Sequence, residues 1–240
     1  MNKELNIIAV VPARGGSKTL SRKNIRPISG KPLIAYTIEA AIGSRSINRV
    51  VVSTEDEEIA EISKRYGAEV VKRPEKLAQD DSPTIDAIMH VIDWFEERNE
   101  RFDIVVLLEP TSPLRKDDDL DNAISLFIHN SDRADSLVSL GEVHLESPYI
   151  TKKIENGFVR PFTPPAAPLH QRQQLPKVYF PYGVIYLSKV DALKRYGTFY
   201  QERTIPYFIE RWQNYEIDDI YDLICIEAIM RYRLESRKES

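Results

Sequence analysis

The chain of 240 residues has room for one large domain, or for one domain with a small appendage, at roughly 150 residues per domain. Hydrophobic residues make up 42% and charged residues 29% of the chain, a composition that excludes wholesale disorder. The 33 basic and 37 acidic side chains leave a net charge of −4, which excludes a bulk polycation that binds nucleic acid by charge alone but allows a local basic patch.

Short apolar runs alternate with stretches of helical periodicity along the first 140 residues. The apolar runs predict strands at 7–11, 50–52, 69–71, 104–108 and 136–140. The periodic stretches predict helices over 32–42, 55–66, 84–98 and 120–128. Strands that alternate with helices indicate right-handed βαβ units and a parallel sheet covered by helices on both faces. The predicted fold class is therefore α/β.

The pattern changes after about residue 141. The proline-rich segment 148–174 and the Asn156-Gly157 pair favour a hairpin and an extended arm over another βαβ unit. A strand at 183–187 and a helix near 219–235 restore the α/β pattern. We therefore predict a single α/β domain over residues 1–240, with an inserted hairpin or arm at 142–182.

The remaining composition narrows the kind of protein further. Cys225 is the single cysteine, which excludes an intramolecular disulfide and a cysteine cluster for zinc. We find neither a recognisable signal peptide nor an apolar run near the 18 residues of a membrane span. We expect a cytoplasmic protein that binds neither membranes nor nucleic acid.

A basic, glycine-containing loop follows the first predicted strand. Ligands of an open parallel sheet bind beyond the carboxyl ends of its strands, so this position favours a binding site. Gly15 and Gly16 let backbone N–H groups approach an anion. Four cations lie within ten residues: Arg14, Lys18, Arg22 and Lys23. The loop predicts a polyphosphate site, with a solvated basic loop as the alternative; it is neither a GxxxxGK[ST] loop nor a GxGxxG fingerprint.

The segment LLEPTSPLR, residues 107–115, contains the last two residues of the strand predicted at 104–108 and the polar turn after it. Its two prolines restrict the backbone, and its polar side chains could point into the crevice: Glu109, Thr111, Ser112 and Arg115. The alternative is a rigid turn without a ligand.

Two carboxylates precede the last predicted helix. Glu216 and Asp218 would face the same side of a short strand, and together they could hold Mg²⁺, which prefers oxygen ligands. The alternative is that Asp218 or Asp219 only caps the helix. A basic phosphate loop beside a metal pair indicates nucleotidyl or phosphoryl transfer.

Four motifs in order, PARGGSK followed by KN, LLEPTSPLR, RQQLP and EIDD, resemble the acylneuraminate cytidylyltransferases, the CMP–sialic acid synthetases. The resemblance covers residues 7–230. It implies a Rossmann-like three-layer sandwich with a mostly parallel sheet, of the nucleotide-diphospho-sugar transferase type. It also implies a Mg²⁺-dependent reaction in which CTP and a nine-carbon 2-keto sugar acid give a CMP-sugar acid and pyrophosphate, by in-line attack of the anomeric hydroxyl on the α-phosphate.

Carried over residue by residue, the resemblance implies a complete set of site residues. The nucleotide would be bound by Arg14, Gly15, Gly16, Ser17, Lys18, Lys23, Asn24, Arg73 and Thr84. The sugar would be bound by Glu109, Thr111, Ser112, Arg172 and Tyr182, and the metal by Glu216 and Asp218. Arg14, Lys23 and Asp218 would be catalytic. The inserted segment resembles a dimerisation element that reaches a neighbouring subunit's site, so we expect a homodimer.

The chain departs from the family pattern mainly in the sugar half. Glu109 stands where the family commonly has Gln, Glu216 where it has Asp, and Phe180 and Tyr182 where it has Arg and Asn. We therefore expect a bacterial nonulosonic acid, either N-acetylneuraminate or a legionaminic-type sugar.

Three other functions remain as alternatives. They are a CMP-Kdo-type synthetase acting on an eight-carbon acid, a non-catalytic nucleotide-binding protein, and a nicotinamide-dependent oxidoreductase. The missing GxGxxG fingerprint disfavours the oxidoreductase. No histidine lies in a motif, so the sequence identifies no general base.

Overall fold

The computed structural model describes residues 5–163 and 175–236. The strands are β1 (Ile7–Pro12), β2 (Pro27–Ile28), β3 (Lys31–Pro32), β4 (Arg49–Thr54), β5 (Glu69–Lys72), β6 (Ile104–Leu107), β7 (Ser136–Glu142), β8 (Lys152–Glu155), β9 (Phe158–Pro161), β10 (Tyr179–Lys189) and β11 (Thr204–Phe208). The α-helices are α1 (Leu33–Gly43), α2 (Glu57–Arg65), α3 (Thr84–Glu96), α4 (Asp119–His129), α5 (Val190–Tyr196) and α6 (Ile220–Ser236).

Seven strands form the central sheet in the order β11-β7-β10-β6-β1-β4-β5. Strands β6, β1, β4 and β5 pair in parallel, as do β7 and β11. Strand β10 pairs antiparallel with both β6 and β7. Because β10 returns beside β7 after the inserted segment, the two strands need no crossover helix and run antiparallel. The predicted α/β fold with a mostly parallel sheet is confirmed.

Both faces of the sheet are buried, which explains the continuous apolar runs in its strands. Along β1, Ile7, Ala9 and Val11 pack in one cluster with side chains of α1, α2 and α4. Ile8 and Val10 point to the other face and pack with α3 and α5. Helices therefore cover both faces of the sheet, as the three-layer prediction requires.

A third apolar cluster attaches the end of the chain to the edge of the sheet. Leu223 and Ile226 of α6 pack with Leu20, with Leu114 and with the fully buried Ile217. This cluster brings the segment before α6 next to the basic loop after β1.

The inserted segment contains the predicted hairpin. Strands β8 and β9 pair antiparallel through a two-residue turn at Asn156 and Gly157, whose φ angles of 54° and 79° are those of a type I′ turn. All eight strand residues are exposed. Arg172 lies outside the described residues, and the dimerisation role of this segment stays a prediction.

Several elements differ from the sequence prediction. Strand β11, which the sequence did not predict, contains Pro206; proline is confined to edge strands or strand ends, and β11 is an edge strand. Helix α5 has seven residues and ends at Gly197 in a left-handed conformation, too short to show periodicity. No strand forms at 214–219. None of the helices in the described ranges combines the length and apolar character that crossing a bilayer requires.

Candidate functional site

A cleft of about 340 Å³ opens beyond the carboxyl ends of β1, β5 and β6. This is the edge at which open parallel sheets bind ligands. Nine of the predicted site residues line it: Arg14, Lys23, Asn24, Arg73, Thr84, Glu109, Thr111, Glu216 and Asp218. The fold therefore brings together side chains from three of the four motifs, with Arg73 and Thr84 beside them.

The cations of the loop after β1 are all paired with carboxylates. Arg14 and Lys18 both contact Asp80, each at 2.7 Å, across the mouth of the cleft. The hydrogen bonds from Lys18 and Arg14 lower the pKa of Asp80 below its ordinary value. Lys23 donates to the Ile217 carbonyl at 2.9 Å and lies 3.3 Å from an Asp218 oxygen. Carboxylates therefore hold these cations beside the cleft, although the Lys18 side chain is 73% exposed.

Arg22 anchors the same loop to the first turn of α2. Its guanidinium contacts Asp56 and Glu58, each at 2.5 Å, and the bond from Arg22 lowers the pKa of Asp56. Asp56 is also the N-cap of α2, accepting from the Ile59 N–H. Arg22 has a φ of 57°, a conformation that few non-glycine residues adopt and that these ion pairs hold in place.

The Gly15 amide is bonded within the protein. Its N–H donates to Glu55 at 2.7 Å, and the glycine is required because a Cβ there would lie 2.4 Å from an Asp56 oxygen. The wall of the cleft includes none of Gly15, Gly16, Ser17 and Lys18. The phosphate contact of the Gly15 amide stays a prediction, and in the structure this N–H is bonded to Glu55.

Arg73, Asn24 and Thr84 also line the cleft. Arg73 is 6% exposed and contacts Glu55 at 2.9 Å, while its buried Nε has no hydrogen-bond partner among residues 5–163 and 175–236. Asn24 donates to the Arg14 carbonyl at 2.9 Å and so holds the loop after β1. Thr84 is the first residue of α3.

The two predicted metal ligands face the cleft from an irregular segment, not from a strand. The buried Ile217 lies between them, and its N–H donates to the Thr111 carbonyl at 2.9 Å. Glu216 accepts from the Ser112 hydroxyl at 2.9 Å and from the Gly183 N–H. Asp218 is mostly exposed.

Asp219, and not Asp218, is the residue that caps α6. Its carboxylate accepts from the N–H groups of Tyr221 at 2.7 Å and Asp222 at 3.2 Å. The capping alternative is therefore correct for Asp219, whereas Asp218 lines the cleft.

Glu109 joins the cleft to a second cavity of about 310 Å³. Burial, and then the charge of Glu216, raises the pKa of Glu109 to about 7, so this carboxyl can hold or release a proton near neutrality. The second cavity also contains Tyr186, Phe199 and Tyr200. Its lining is mainly apolar.

Three residues of the predicted site or crevice lie elsewhere. Ser112 is 1% exposed and holds Glu216, which argues against direct contact with a ligand. Arg115 donates to the carbonyls of Glu109, Gly183 and Val184, and burial lowers its pKa to about 10. Arg115 therefore holds the loop after β6 together instead of facing the crevice. Tyr182 lines a separate cavity on the other side of Glu216.

Comparison with known proteins identifies the family. The family profile described as Cytidylyltransferase matches residues 8–237. The chain belongs to this family. This cytidylyltransferase is a nucleotidyltransferase by family, as its motifs predicted, and the oxidoreductase and non-catalytic alternatives are wrong.

Related sequences span the whole length of the cytidylyltransferase. The CMP-N,N'-diacetyllegionaminic acid synthase of Legionella pneumophila is 33% identical over 97% of this chain and 99% of its own length. A pseudaminic acid cytidylyltransferase of Campylobacter jejuni is 30% identical over 95% of this chain and 98% of its own length. An N-acylneuraminate cytidylyltransferase of Streptococcus agalactiae is 32% identical over 91% of this chain, which spans about half, 52%, of that relative.

Solved structures show the same fold at lower sequence identity. The CMP:2-keto-3-deoxy-manno-octonic acid synthetase, complexed with CTP, superposes with a TM-score of 0.69 at 18% identity and covers 95% of this chain and 99% of its own. The 4-diphosphocytidyl-2C-methyl-D-erythritol synthase of Anaerococcus prevotii superposes with a TM-score of 0.64 at 12% identity. The match covers 95% of this chain and 100% of that structure's chain. These likenesses support the fold and not a substrate.

Sequence reasoning missed several residues of the cleft and its surroundings. Glu55 follows β4 directly, so the rule that ligands bind at strand ends could have identified it. Asp80 and the aromatic residues of the second cavity carry no such signal, because only tertiary contacts place them there.

Proposed function

We propose that this cytidylyltransferase activates a nonulosonic acid, transferring CMP from CTP to the sugar's anomeric hydroxyl and releasing pyrophosphate. The observation that carries the proposal is that one cleft is lined by three cations and a carboxylate pair: Arg14, Lys23, Arg73, Glu216 and Asp218. This cleft adjoins a second, mainly apolar cavity. Two adjoining compartments suit a reaction that joins two substrates.

The nucleotide belongs in the larger cleft. Arg14 and Lys23 would contact the triphosphate, because their present carboxylate partners can be replaced by phosphate oxygens of the same charge. Arg73, Asn24 and Thr84 lie in the same cleft and would surround the cytidine. Lys18 would reach the outer phosphates if Asp80 releases it.

The donor set suits Mg²⁺. Glu216 and Asp218 offer only oxygen atoms, and Ser112 and Gly183 hold Glu216 in place. The described residues contain no group of three His, Cys, Asp or Glu side chains that could hold a metal ion. An ion at this pair would take its remaining ligands from phosphate oxygens and water, as Mg²⁺ commonly does. Bound there, Mg²⁺ would offset negative charge that develops on the phosphates.

The protein's own contribution is positioning and charge. Lys23 and Arg14 stabilise the negative charge of the phosphoryl group while the anomeric oxygen attacks the α-phosphorus in line and pyrophosphate leaves. Lys23 is fixed in position for this role, because its side chain is only 15% exposed and donates a hydrogen bond to the Ile217 carbonyl.

The sugar would sit at the junction of the two compartments, beside Glu109. The apolar cavity would take an acylated or deoxygenated part of the sugar, because its lining offers few polar groups. A legionaminic-type acid or N-acetylneuraminate agrees with the relatives' activities, and a Kdo-type acid is the alternative. We also propose that the enzyme is a homodimer that works in the cytoplasm, the compartment that supplies CTP.

Pyrophosphate release tests the proposal directly. The enzyme is incubated with CTP, Mg²⁺ and each of a panel of acids: N-acetylneuraminate, legionaminic, pseudaminic and Kdo. We expect release with a nine-carbon acid, dependence on both CTP and Mg²⁺, and none without sugar. Release with Kdo alone would favour the alternative, and no release with any acid would contradict the proposal.

A further inference from the structure

Three neighbouring parallel strands bring three residues that contact one another to one edge of the sheet. Gly15 comes shortly after β1, Glu55 directly after β4 and Arg73 directly after β5. In the sheet β4 lies between β1 and β5. Glu55 is therefore the middle of the three. It lies between the loop after β1, which we propose binds the phosphates, and Arg73.

The carboxylate of Glu55 contacts both neighbours. Oε1 accepts from the Gly15 N–H at 2.7 Å, and Oε2 accepts from an Arg73 Nη at 2.9 Å. The Glu55 side chain is 18% exposed and that of Arg73 only 5%, so the contact is shielded from water. A buried guanidinium requires a counter-charge, and Glu55 is the carboxylate that contacts it.

We infer that Glu55 is a positioning residue that connects the two halves of the nucleotide site. One oxygen holds the loop that carries Arg14 and Lys23, and the other orients the Arg73 guanidinium. Arg73 neutralises the Glu55 charge, so the carboxylate does not repel a triphosphate nearby. This inference rests on the proposed CTP site, although Glu55 itself need not touch the nucleotide.

Because the two oxygens of Glu55 have different partners, three substitutions can distinguish the role of each contact. Glu55→Ala removes both contacts. Glu55→Gln keeps an acceptor for Gly15 but presents an amide N–H to Arg73, so it breaks only the Arg73 side. Glu57→Ala is the control, because Glu57 lies in the same turn but is 87% exposed and forms an ion pair with Lys72, at 3.6 Å.

The experiment measures binding of CTP and of inorganic tripolyphosphate by calorimetry, with the melting temperature of each variant. We expect Glu55→Ala to bind CTP about tenfold more weakly or worse, as for loss of a hydrogen bond to a charged group, and tripolyphosphate several-fold more weakly. We expect Glu55→Gln to weaken the binding of CTP but to leave the affinity for tripolyphosphate within about twofold of that of the wild type. Glu57→Ala should match the wild type, and KM for the sugar should not change in any variant.

Two results would overturn the inference. One is CTP affinity within about twofold of the wild type in both Glu55 variants. The other is a lower melting temperature with unchanged affinities, which is the signature of a structural role only. If Glu55→Ala does not fold, Glu55→Gln decides. Turnover by the wild type tests the proposed function separately, so an active wild type with a fully CTP-competent Glu55→Gln overturns the positioning role alone.

Discussion

At the scale of single residues, adjacent carboxylates have different tasks. Asp218 is mostly exposed, lines the cleft and approaches Lys23, whereas Asp219 caps α6 through two backbone N–H groups. Ser112, which looks like a ligand contact in the sequence, is buried beneath Glu216 and holds it. A residue's neighbours, and not its type, decide which of these tasks it performs.

Asp218→Asn should reduce turnover by at least about a hundredfold, because it removes a charge from the proposed metal pair. The fold should persist, since the Asp218 side chain is 85% exposed. Pyrophosphate release and the melting temperature are the two measurements. Asp219→Asn is the matched control: it should lower the melting temperature slightly and leave turnover nearly intact. An unchanged CTP-dependent rate in Asp218→Asn would contradict the metal assignment.

Lys23→Ala should raise KM for CTP about tenfold or more while KM for the sugar acid stays the same, because the lost charge faces phosphate. Steady-state kinetics with each substrate varied in turn would show this difference. Equal increases in both KM values would count against a role at the triphosphate.

At the scale of elements, loops at the two ends of the sheet are held by carboxylates. The loop after β1 is fastened to the start of α2 through Arg22, Asp56 and Gly15. The connection from α1 to β4 is fastened to α4 through Asp121, which accepts from the Ser44 hydroxyl at 2.7 Å and the Ser46 N–H at 3.1 Å. These contacts fix loops that have few apolar side chains of their own.

Asp121 predicts a pH dependence of stability. Burial opposes its charge, but the hydrogen bonds from Ser44, Ser46 and the Arg45 N–H outweigh burial and lower its pKa to about 2. A lowered pKa stabilises the fold above the unfolded value of about 4, and this contribution is lost as the pH falls toward 2. Asp121→Asn should therefore lower the free energy of unfolding by about 1–2 kcal/mol at pH 7.

Urea unfolding over a range of pH is the measurement for this prediction. The difference between wild type and Asp121→Asn should narrow below about pH 4. Asp118→Asn, at the exposed start of the same helix, should show little difference at any pH. A constant gap between wild type and Asp121→Asn from pH 7 to pH 3 would contradict the assignment.

At the scale of the whole molecule, the β8–β9 hairpin stands away from the sheet with its apolar side chains in solvent. Ile154, Phe158 and Val159 are 71%, 63% and 64% exposed. Apolar side chains grouped on one exposed element are typical of a protein–protein interface. They support the proposed homodimer.

Phe158→Asp should convert a dimer to a monomer without loss of the fold, because Phe158 makes little contact within its own chain. Light scattering after size-exclusion chromatography gives the mass, and circular dichroism reports the fold. Lys153→Ala, on the same hairpin, is the control and should remain dimeric. A monomeric wild type would show that the dimer prediction is wrong.

Much of this molecule could be read from short-range patterns. Apolar runs identified the buried strands, the Asn156-Gly157 pair identified the hairpin turn, and four ordered motifs identified the family. Three of these motifs contribute residues to the lining of the cleft. These features are local because a strand buried on both faces, a type I′ turn and a ligand loop each constrain adjacent residues.

The remaining features depend on contacts between residues far apart in the chain. The antiparallel direction of β10, the edge position of β11, the pairing of Asp80 with Arg14 and the reach of Glu55 to both Gly15 and Arg73 have no local pattern. The near-neutral net charge likewise conceals a concentration of paired cations and carboxylates at one cleft. Such features arise when the sheet assembles, because strand order brings distant side chains within hydrogen-bonding distance.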